Sequence, residues 1–300
     1  INQTMKDELK EIVYKSLQKI DKKTKDLVAV DIGANDGTLL GNYSQDVLKV
    51  AIEPIKKFAH EAEAKADIVI NDFFNIKSYQ QKLNNTKANI ITAISCFYDI
   101  DTPNQLLSDI KKILHKDGIF VIQQNYLVGM IEKNAFDNIV HEHLEYYSLL
   151  SLENLLKKHD LEVFDIELSD INGGSFRTFI CHKGTKKAKQ SVQRIRESEE
   201  KLKLNDIEKY KKFAINVKEN KKKVLNYIKN LVKKNKKVYL YGASTRGNTL
   251  LQYYNLDTKL IKKAVERNKE KWGKKILSVR IPIISEEQAR KDKPDYMLVL

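Results

Sequence analysis

Two cysteines, four prolines and no long apolar run define this 300-residue chain by what it has little of. Cys96 and Cys181 are too few for a disulfide framework or a four-thiolate zinc site, and both sit among apolar residues, as buried thiols do. A reducing cytoplasm suits such a chain, and no metal is expected in it. No apolar stretch approaches the roughly 18 residues that a membrane span needs. The best candidate, 88–100, is interrupted by Asn, Thr, Ser and Asp, so no membrane partner is expected. The first helical pattern mixes acidic, basic and apolar residues, unlike a secretory or transit peptide. The chain opens at Ile1, as a segment of a longer gene product would. What is present excludes dominant disorder: 10 Phe, 14 Tyr and one Trp join many Ile, Leu and Val. The length predicts about two domains.

A net charge of +14 first suggests a nucleic acid or an anionic surface as partner. Its distribution argues otherwise. Residues 183–237 hold 20 Lys+Arg and 6 Asp+Glu, and the rest of the chain has 34 of each sign. Within that segment Val192, Ile195, Leu202, Phe213, Val217, Val224, Ile228 and Leu231 recur mostly at three- and four-residue steps, with no Pro or Gly from Thr185 to Lys237. The pattern predicts one or two amphipathic helices with a lysine-rich outer face, a connector over 185–236. No aromatic cluster accompanies the lysines, so nucleic acid is the minority reading.

Either side of the connector, short apolar runs alternate with helical patterns. A first helix is expected over 5–20, then strands at 27–32, 49–53, 68–70, 90–94 and 119–123, separated by helices near 55–65, 103–115 and 151–159. Strands apolar on both faces indicate a parallel sheet covered on both sides, so the fold class is α/β. The alternation restarts at 238–241 with a helix over 247–254 and strands at 262–265, 281–284 and 295–300. The expected domains are therefore 1–184, the connector, and a smaller α/β domain over 237–300.

Cofactors in such sheets bind at the carboxyl ends of the strands. There the sequence reads Val30-Asp31-Ile32-Gly33-Ala34-Asn35-Asp36-Gly37, followed by an expected helical run. The two glycines are four apart, so the dinucleotide fingerprint does not fit. Asp31, Asn35 and Asp36 make the loop acidic, which argues against a phosphate and for a cationic or neutral ligand. Glu53 ends the second strand, where a carboxylate can take both hydroxyls of a ribose. Asn71, Asp72 and Phe73 end the third, offering polar contacts and an aromatic lid to an adenine. These three features match the class I S-adenosylmethionine methyltransferase pattern, whose sulfonium cation accounts for the carboxylates.

A second concentration of chemistry lies at 135–148, where His141, Glu142, His143, Glu145, Tyr146 and Tyr147 fall in a loop-like stretch after the fifth strand. A histidine beside a carboxylate works as a base near neutral pH. A metal site lacks an obvious third ligand, and a buried structural cluster is the remaining alternative. Asn172 to Arg177 joins two strand-like segments. Either its glycines are a plain hairpin turn, or Gly174 and Ser175 admit a substrate that Arg177 contacts through phosphate or carboxylate.

With the distal segment Tyr241-Gly242-Ala243-Ser244-Thr245-Arg246-Gly247-Asn248 and Ala264-Val265-Glu266-Arg267-Asn268, the chain resembles the nucleotide-sugar C-methyltransferase family along nearly its whole length. Phe97-Tyr98-Asp99 and Ile281-Pro282-Ile283 belong to the same likeness. The resemblance implies a class I methyltransferase sheet with a second, smaller Rossmann-like domain. It also implies a zinc domain before the matching region and further strand–helix units after it. S-adenosylmethionine is the implied cofactor, and a nucleotide-linked 4-keto deoxysugar, of cell-surface polysaccharides or antibiotics, the implied substrate. The likeness makes His143 the general base with Glu142 beside it. Val140 stands where some members have a tyrosine. An enolate formed at the carbon beside the ketone then takes the methyl group, with Tyr98, Asn125, Tyr146 or Tyr147 as donors to its oxygen. His141, Gly174, Ser175, Arg177, Gly242, Ser244, Thr245, Arg246 and Asn248 are the expected substrate contacts, the second glycine loop offering amides and Arg246 to a diphosphate. The rivals are a sugar O-methyltransferase, a nucleic-acid methyltransferase and a noncatalytic nucleotide-binding protein.

Overall fold

A computed structural model describes residues 2–21 and 25–299. They form two compact units, one of residues up to Gly129 with Leu144–Lys203, the other of Met130–His143 with Leu204 onward.

The first unit begins with helix α1 (Gln3–Leu17), capped by Asn2, whose side chain accepts the Met5 amide at 2.8 Å. Strands β1 (Val28–Ile32) and β2 (Leu48–Ile52), helix α2 (Lys56–Ala62), strand β3 (Ile68–Ile70), helix α3 (Ile76–Leu83) and strand β4 (Ala88–Ile94) follow. After them come helix α4 (Pro103–Ile113), strand β5 (Leu114–Asn125), helix α5 (Leu127–Glu132), in which the division falls, helix α6 (Leu149–Lys157), strands β6 (Leu161–Ser169) and β7 (Ser175–His182), and helix α7 (Gln190–Leu202). The sheet order is β3-β2-β1-β4-β5-β7-β6. β3 to β5 are parallel and β7 is antiparallel to both neighbours, the class I methyltransferase arrangement expected from the motifs. The run expected to be helical after Gly37 is only a 3-10 turn, Leu40–Asn42.

The second unit holds helix α8 (Ile207–Lys233), strand β8 (Val238–Tyr241), helix α9 (Thr245–Tyr254), strands β9 (Ala264–Val265) and β10 (Ile283–Ile284), helix α10 (Glu286–Asp292) and strand β11 (Tyr296–Val299). Its four strands are parallel in the order β10-β9-β8-β11. The second Rossmann-like α/β fold is therefore present; Leu300 lies outside the described residues.

The basic segment is not one connector. Val192 and Glu199 of α7 are buried in the first unit, whereas Val217, Ile228 and Leu231 of α8 join the apolar core of the second. The break falls at Lys203, which turns the chain with φ +51°. Glu199 takes the amides of Leu149 and Leu150 at the start of α6, at 2.6 and 2.9 Å, and the Tyr126 hydroxyl at 2.8 Å. A buried carboxyl group is thus held by the amides of a helix N-terminus. Among the described residues no helix is long and apolar enough to cross a membrane.

Candidate active site

A cavity of about 780 Å³ opens at the carboxyl ends of β1, β2 and β4, within the size range of small-molecule sites. Asp31, Gly33, Asn35, Glu53 and Phe73 line it, as the sequence anticipated. Asp31 is buried and accepts the Thr92 hydroxyl at 2.6 Å. Burial raises its carboxyl to about 7; the Thr92 bond opposes the rise and the charge of Glu53 adds to it. A cation in the cavity would relieve that penalty. Glu53, also buried, accepts the Asn35 amide at 2.8 Å on Oε2 and the Ile55 amide at 2.9 Å on Oε1. A carboxylate has about four acceptor positions, so each oxygen keeps one for a ligand. Gly33 has φ +71°, and a Cβ there would lie 3.2 Å from the Cys96 sulfur. The chain therefore passes close beneath the cavity floor only as glycine. Paired acids, a glycine floor and the exposed Phe73 ring, 74% accessible, fit a ligand with a cation, a ribose and an adenine.

Three expected cofactor residues have other work. Gly37 packs on α2, where a Cβ would come within 3.1 Å of the Ala62 Cα. The Asn71 amide donates to the carbonyls of Glu53 and Pro54 at 2.8 and 3.0 Å, fixing the turn after β2. Asp72 accepts the Phe73 amide and the Asn75 side chain. The sequence reading missed Ser95, Cys96, Thr102 and Gln105, which line the cavity after β4. The rule placing ligands at parallel strand ends was the available signal. Burial and the charge of Asp31 push the Cys96 thiol far above its ordinary range, which favours the protonated thiol.

The expected substrate residues on β5 and β7 divide likewise. Asn125 ends β5 opposite Ser175, whose hydroxyl donates to the Ile171 carbonyl at 2.7 Å. Gly173 and Gly174, at φ +85° and +121°, form the turn between β6 and β7, so the plain hairpin explains them. Arg177 must be corrected outright. Its side chain is 3% exposed and donates to Gln123 at 2.7 Å, Glu167 at 2.9 Å and Glu8 at 2.9 Å, which ties α1 to the sheet. It has no face to offer a substrate. Tyr98 is buried in a 3-10 turn after β4, its carbonyl accepting the amides of Leu144 and Glu145. Tyr146 is half-buried, and burial raises its hydroxyl.

In the second unit, Met130–His143 packs with the C-terminal fold. Phe136 packs against the rings of both Tyr253 and Tyr254, at 5.1 and 5.5 Å between centroids. Asp137 forms an ion pair with Arg246, whose Nε donates at 2.7 Å. The His-Glu-His segment and the second glycine loop are thereby brought together. The His143 imidazole is held below its ordinary range: burial lowers it, a hydrogen bond with the Asn138 backbone raises it, Arg246 lowers it and Glu142 raises it. His141 points to solvent, 84% exposed, and Glu142 is likewise exposed. In the loop, Gly242 has φ +102° with open space around it, and Ser244 caps α9 by accepting the Gly247 amide at 3.0 Å. Thr245 is exposed, and Asn248 accepts the Ser278 hydroxyl. Among the described residues no group of three or more His, Cys, Asp or Glu is placed to hold a metal ion.

Residues 170–300 match the family described as C-methyltransferase C-terminal domain, and residues 2–166 match the one described as methyltransferase domain. The chain is 28% identical to C-methyltransferase NovU of Streptomyces niveus over 295 residues, 97% of this chain and 70% of that protein. Solved structures align more loosely. Magnesium protoporphyrin IX methyltransferase of Synechocystis PCC 6803 with bound SAH has a TM-score of 0.47 and 10% identity over 61% of this chain and 89% of its own. An S-adenosylmethionine-dependent methyltransferase of Clostridium acetobutylicum ATCC 824 has a TM-score of 0.46 and 14% identity over 61% and 93%. The fold assignment stands on the strand order instead. Sheet order and a match over more than half of the chain agree: the chain belongs to the methyltransferase-domain family and is an S-adenosylmethionine-dependent methyltransferase.

Proposed function

We propose that the chain methylates a carbon atom of a nucleotide-linked 4-keto sugar, with His143 as the base. One observation carries the reading: the Asp137–Arg246 ion pair, joining positions 109 apart, sets a half-buried histidine beside a loop suited to a diphosphate. An imidazole held below its ordinary range is neutral near pH 7, the state that accepts a proton. The cation of Arg246 opposes protonation of His143 until substrate supplies the proton.

The 4-keto group acidifies the hydrogen on the adjacent carbon. His143 takes that hydrogen as a proton, the electron pair moves toward the ketone oxygen as an enolate, and the enolate carbon bonds to the methyl group as its bond to sulfur breaks. S-adenosylmethionine, when bound, supplies that methyl group as an electrophile. Asp31 faces its cationic part and Glu53 its ribose hydroxyls in this reading. The match of residues 170–300 to a C-methyltransferase domain and the likeness to NovU support carbon as the methylated atom. A cytoplasmic site agrees with two free thiols, Cys96 and Cys181.

The test is methyl transfer from labelled S-adenosylmethionine to matched pairs of nucleotide sugars, one carrying a 4-ketone and its partner a 4-hydroxyl. Label is expected in the ketones alone. Label in the hydroxy sugars instead would replace C-methylation by O-methylation, with His143 deprotonating a hydroxyl.

A further inference from the structure

Helix α1 is fastened to the sheet at one end and walls the cofactor cavity at the other. Glu8, Glu11 and Lys15 recur at steps of three and four, so they share one face of the helix, and each pairs with a residue of β6 or β7. Lys15 meets Glu167 at 3.6 Å, and Lys19, just past the helix, pairs with Asp165. At the opposite end Met5 and Leu9 line the cavity, with Glu8 on the turn between them. The placing of that wall therefore depends on what holds Glu8.

A closed triangle of side chains holds it. Glu8 Oε1 accepts Gln123 Nε2 at 2.8 Å and Arg177 Nη2 at 2.9 Å, and Arg177 Nε donates to Gln123 Oε1 at 2.7 Å. Arg177 and Gln123 are buried and Glu8 nearly so. With both ends of its carboxamide engaged, Gln123 has one orientation. Its main chain reaches a second wall, because the Gln123 carbonyl accepts the Ser95 amide at 2.8 Å. Ser95 and Cys96 line the cavity after β4, and Ser95 holds φ +57°, a left-handed conformation unfavourable outside glycine. Such strain persists where neighbours fix it, and it gathers at ligand sites. One residue of β5 thus joins α1 to the strained turn after β4.

We propose that Glu8, Gln123 and Arg177 are positioning residues for the cofactor: their triangle sets two walls of the cavity, Met5 with Leu9 and Ser95 with Cys96, before S-adenosylmethionine arrives. Ordering a helix end and a turn in advance removes that cost from binding. The proposal rests on the reading of this cavity as the cofactor site. Arg177, expected at a substrate phosphate, acts instead on the cofactor through Glu8. Without the Glu8 charge Arg177 keeps Glu167 at 2.9 Å and Glu11 at 3.8 Å, so a neutral residue at position 8 leaves no buried cation unpaired.

The experiment uses the full chain, with S-adenosylhomocysteine affinity read by calorimetry and stability by denaturant unfolding. Glu8→Gln keeps an acceptor oxygen without the charge, and Glu8→Leu keeps neither. Lys19→Met loosens the far end of α1 and leaves Asp165 with Lys189. Glu8→Leu should weaken binding roughly tenfold or more, and Glu8→Gln should regain part of the loss. Lys19→Met should lower stability at unchanged affinity, which separates positioning from stability. Gln123→Leu should cost about as much as Glu8→Leu, and its addition to Glu8→Gln little more, since both open one triangle. Should Glu8→Leu fail to fold, Glu8→Gln decides, at an expected loss of about threefold. Full affinity in the folded Glu8 variants overturns the assignment, as do additive losses at Glu8 and Gln123, or an equal loss in Lys19→Met, which would make the effect a general loosening of α1. If the unaltered chain binds no S-adenosylhomocysteine, the cofactor reading of the cavity falls, and this assignment with it.

Discussion

The two units place a glycine and a glutamate at the same strand ends, Gly33 and Glu53 in the first and Gly242 and Glu266 in the second, yet differ one step deeper. Two residues before the glycine the first unit has Asp31, paired across the sheet with Thr92, and the second has Leu240, paired with Leu298. A buried aspartate–threonine pair in the first unit stands against an apolar pair in the second, where Arg246 and Lys271 lie at the loop. One register thus carries opposite charge: two carboxylates at the strand ends of the first unit, and cations beside the glycine loop of the second. Charge at the strand ends, rather than topology, is what differs between the two units.

The largest effect that would break this comparison is at the base. His143→Asn should lower methyl transfer by about 10²- to 10⁴-fold, read as kcat, with S-adenosylhomocysteine affinity in the first unit unchanged. A variant retaining full activity would remove His143 from the chemistry. Next comes Arg177→Leu, which takes the cation from the nearly buried Glu8 and leaves Glu167 only Lys15. Loss of about 3–5 kcal/mol in denaturant unfolding of the first unit is expected. A selective rise in substrate KM at unchanged stability would restore Arg177 as a substrate contact.

Asp31 should be visible through pH. Its folded carboxyl lies at about 7, above the ordinary carboxylate value of about 4. Between those values the folded protein binds more protons than the unfolded, so the stability of the ligand-free protein falls as pH rises through this window and levels off above it. Affinity for S-adenosylmethionine should rise over the same range as Asp31 ionises. Asp31→Asn should flatten both profiles and weaken cofactor binding roughly tenfold. Thr92→Val should move the midpoint upward and Thr92→Ser restore it. The smallest change is expected from Arg246→Gln. It removes a cation from beside His143, so the acidic limb of kcat/KM should shift toward higher pH, within about one pH unit.

How much of this was legible in the sequence follows from how local each feature is. The strand series, Gly33 and Glu53 could be read because parallel strands and their carboxyl ends recur at near-regular spacing. Arg177 was misread because its partner Glu8 lies 169 positions away, and a buried ion pair leaves no local pattern. The break between α7 and α8 was hidden because Lys203 adopts a conformation that usually advertises itself as glycine or asparagine. Asn71 looked like a ligand contact since nothing in sequence distinguishes an amide facing a cavity from one capping a turn. The folding of Met130–His143 into the second unit was beyond reach for the same reason as Arg177: Phe136 and Asp137 find their partners more than a hundred positions on.

The fate of one hydrogen tests the central claim most directly. A nucleotide-linked 4-keto sugar carrying a single deuterium, and no protium, on the carbon beside the ketone is methylated by the full chain with S-adenosylmethionine, and the product is weighed by mass spectrometry. The account predicts that each methyl gained is matched by one deuterium lost, and that His143→Asn suppresses both together. Methylated product that retains its deuterium would contradict proton abstraction by His143 and the enolate with it.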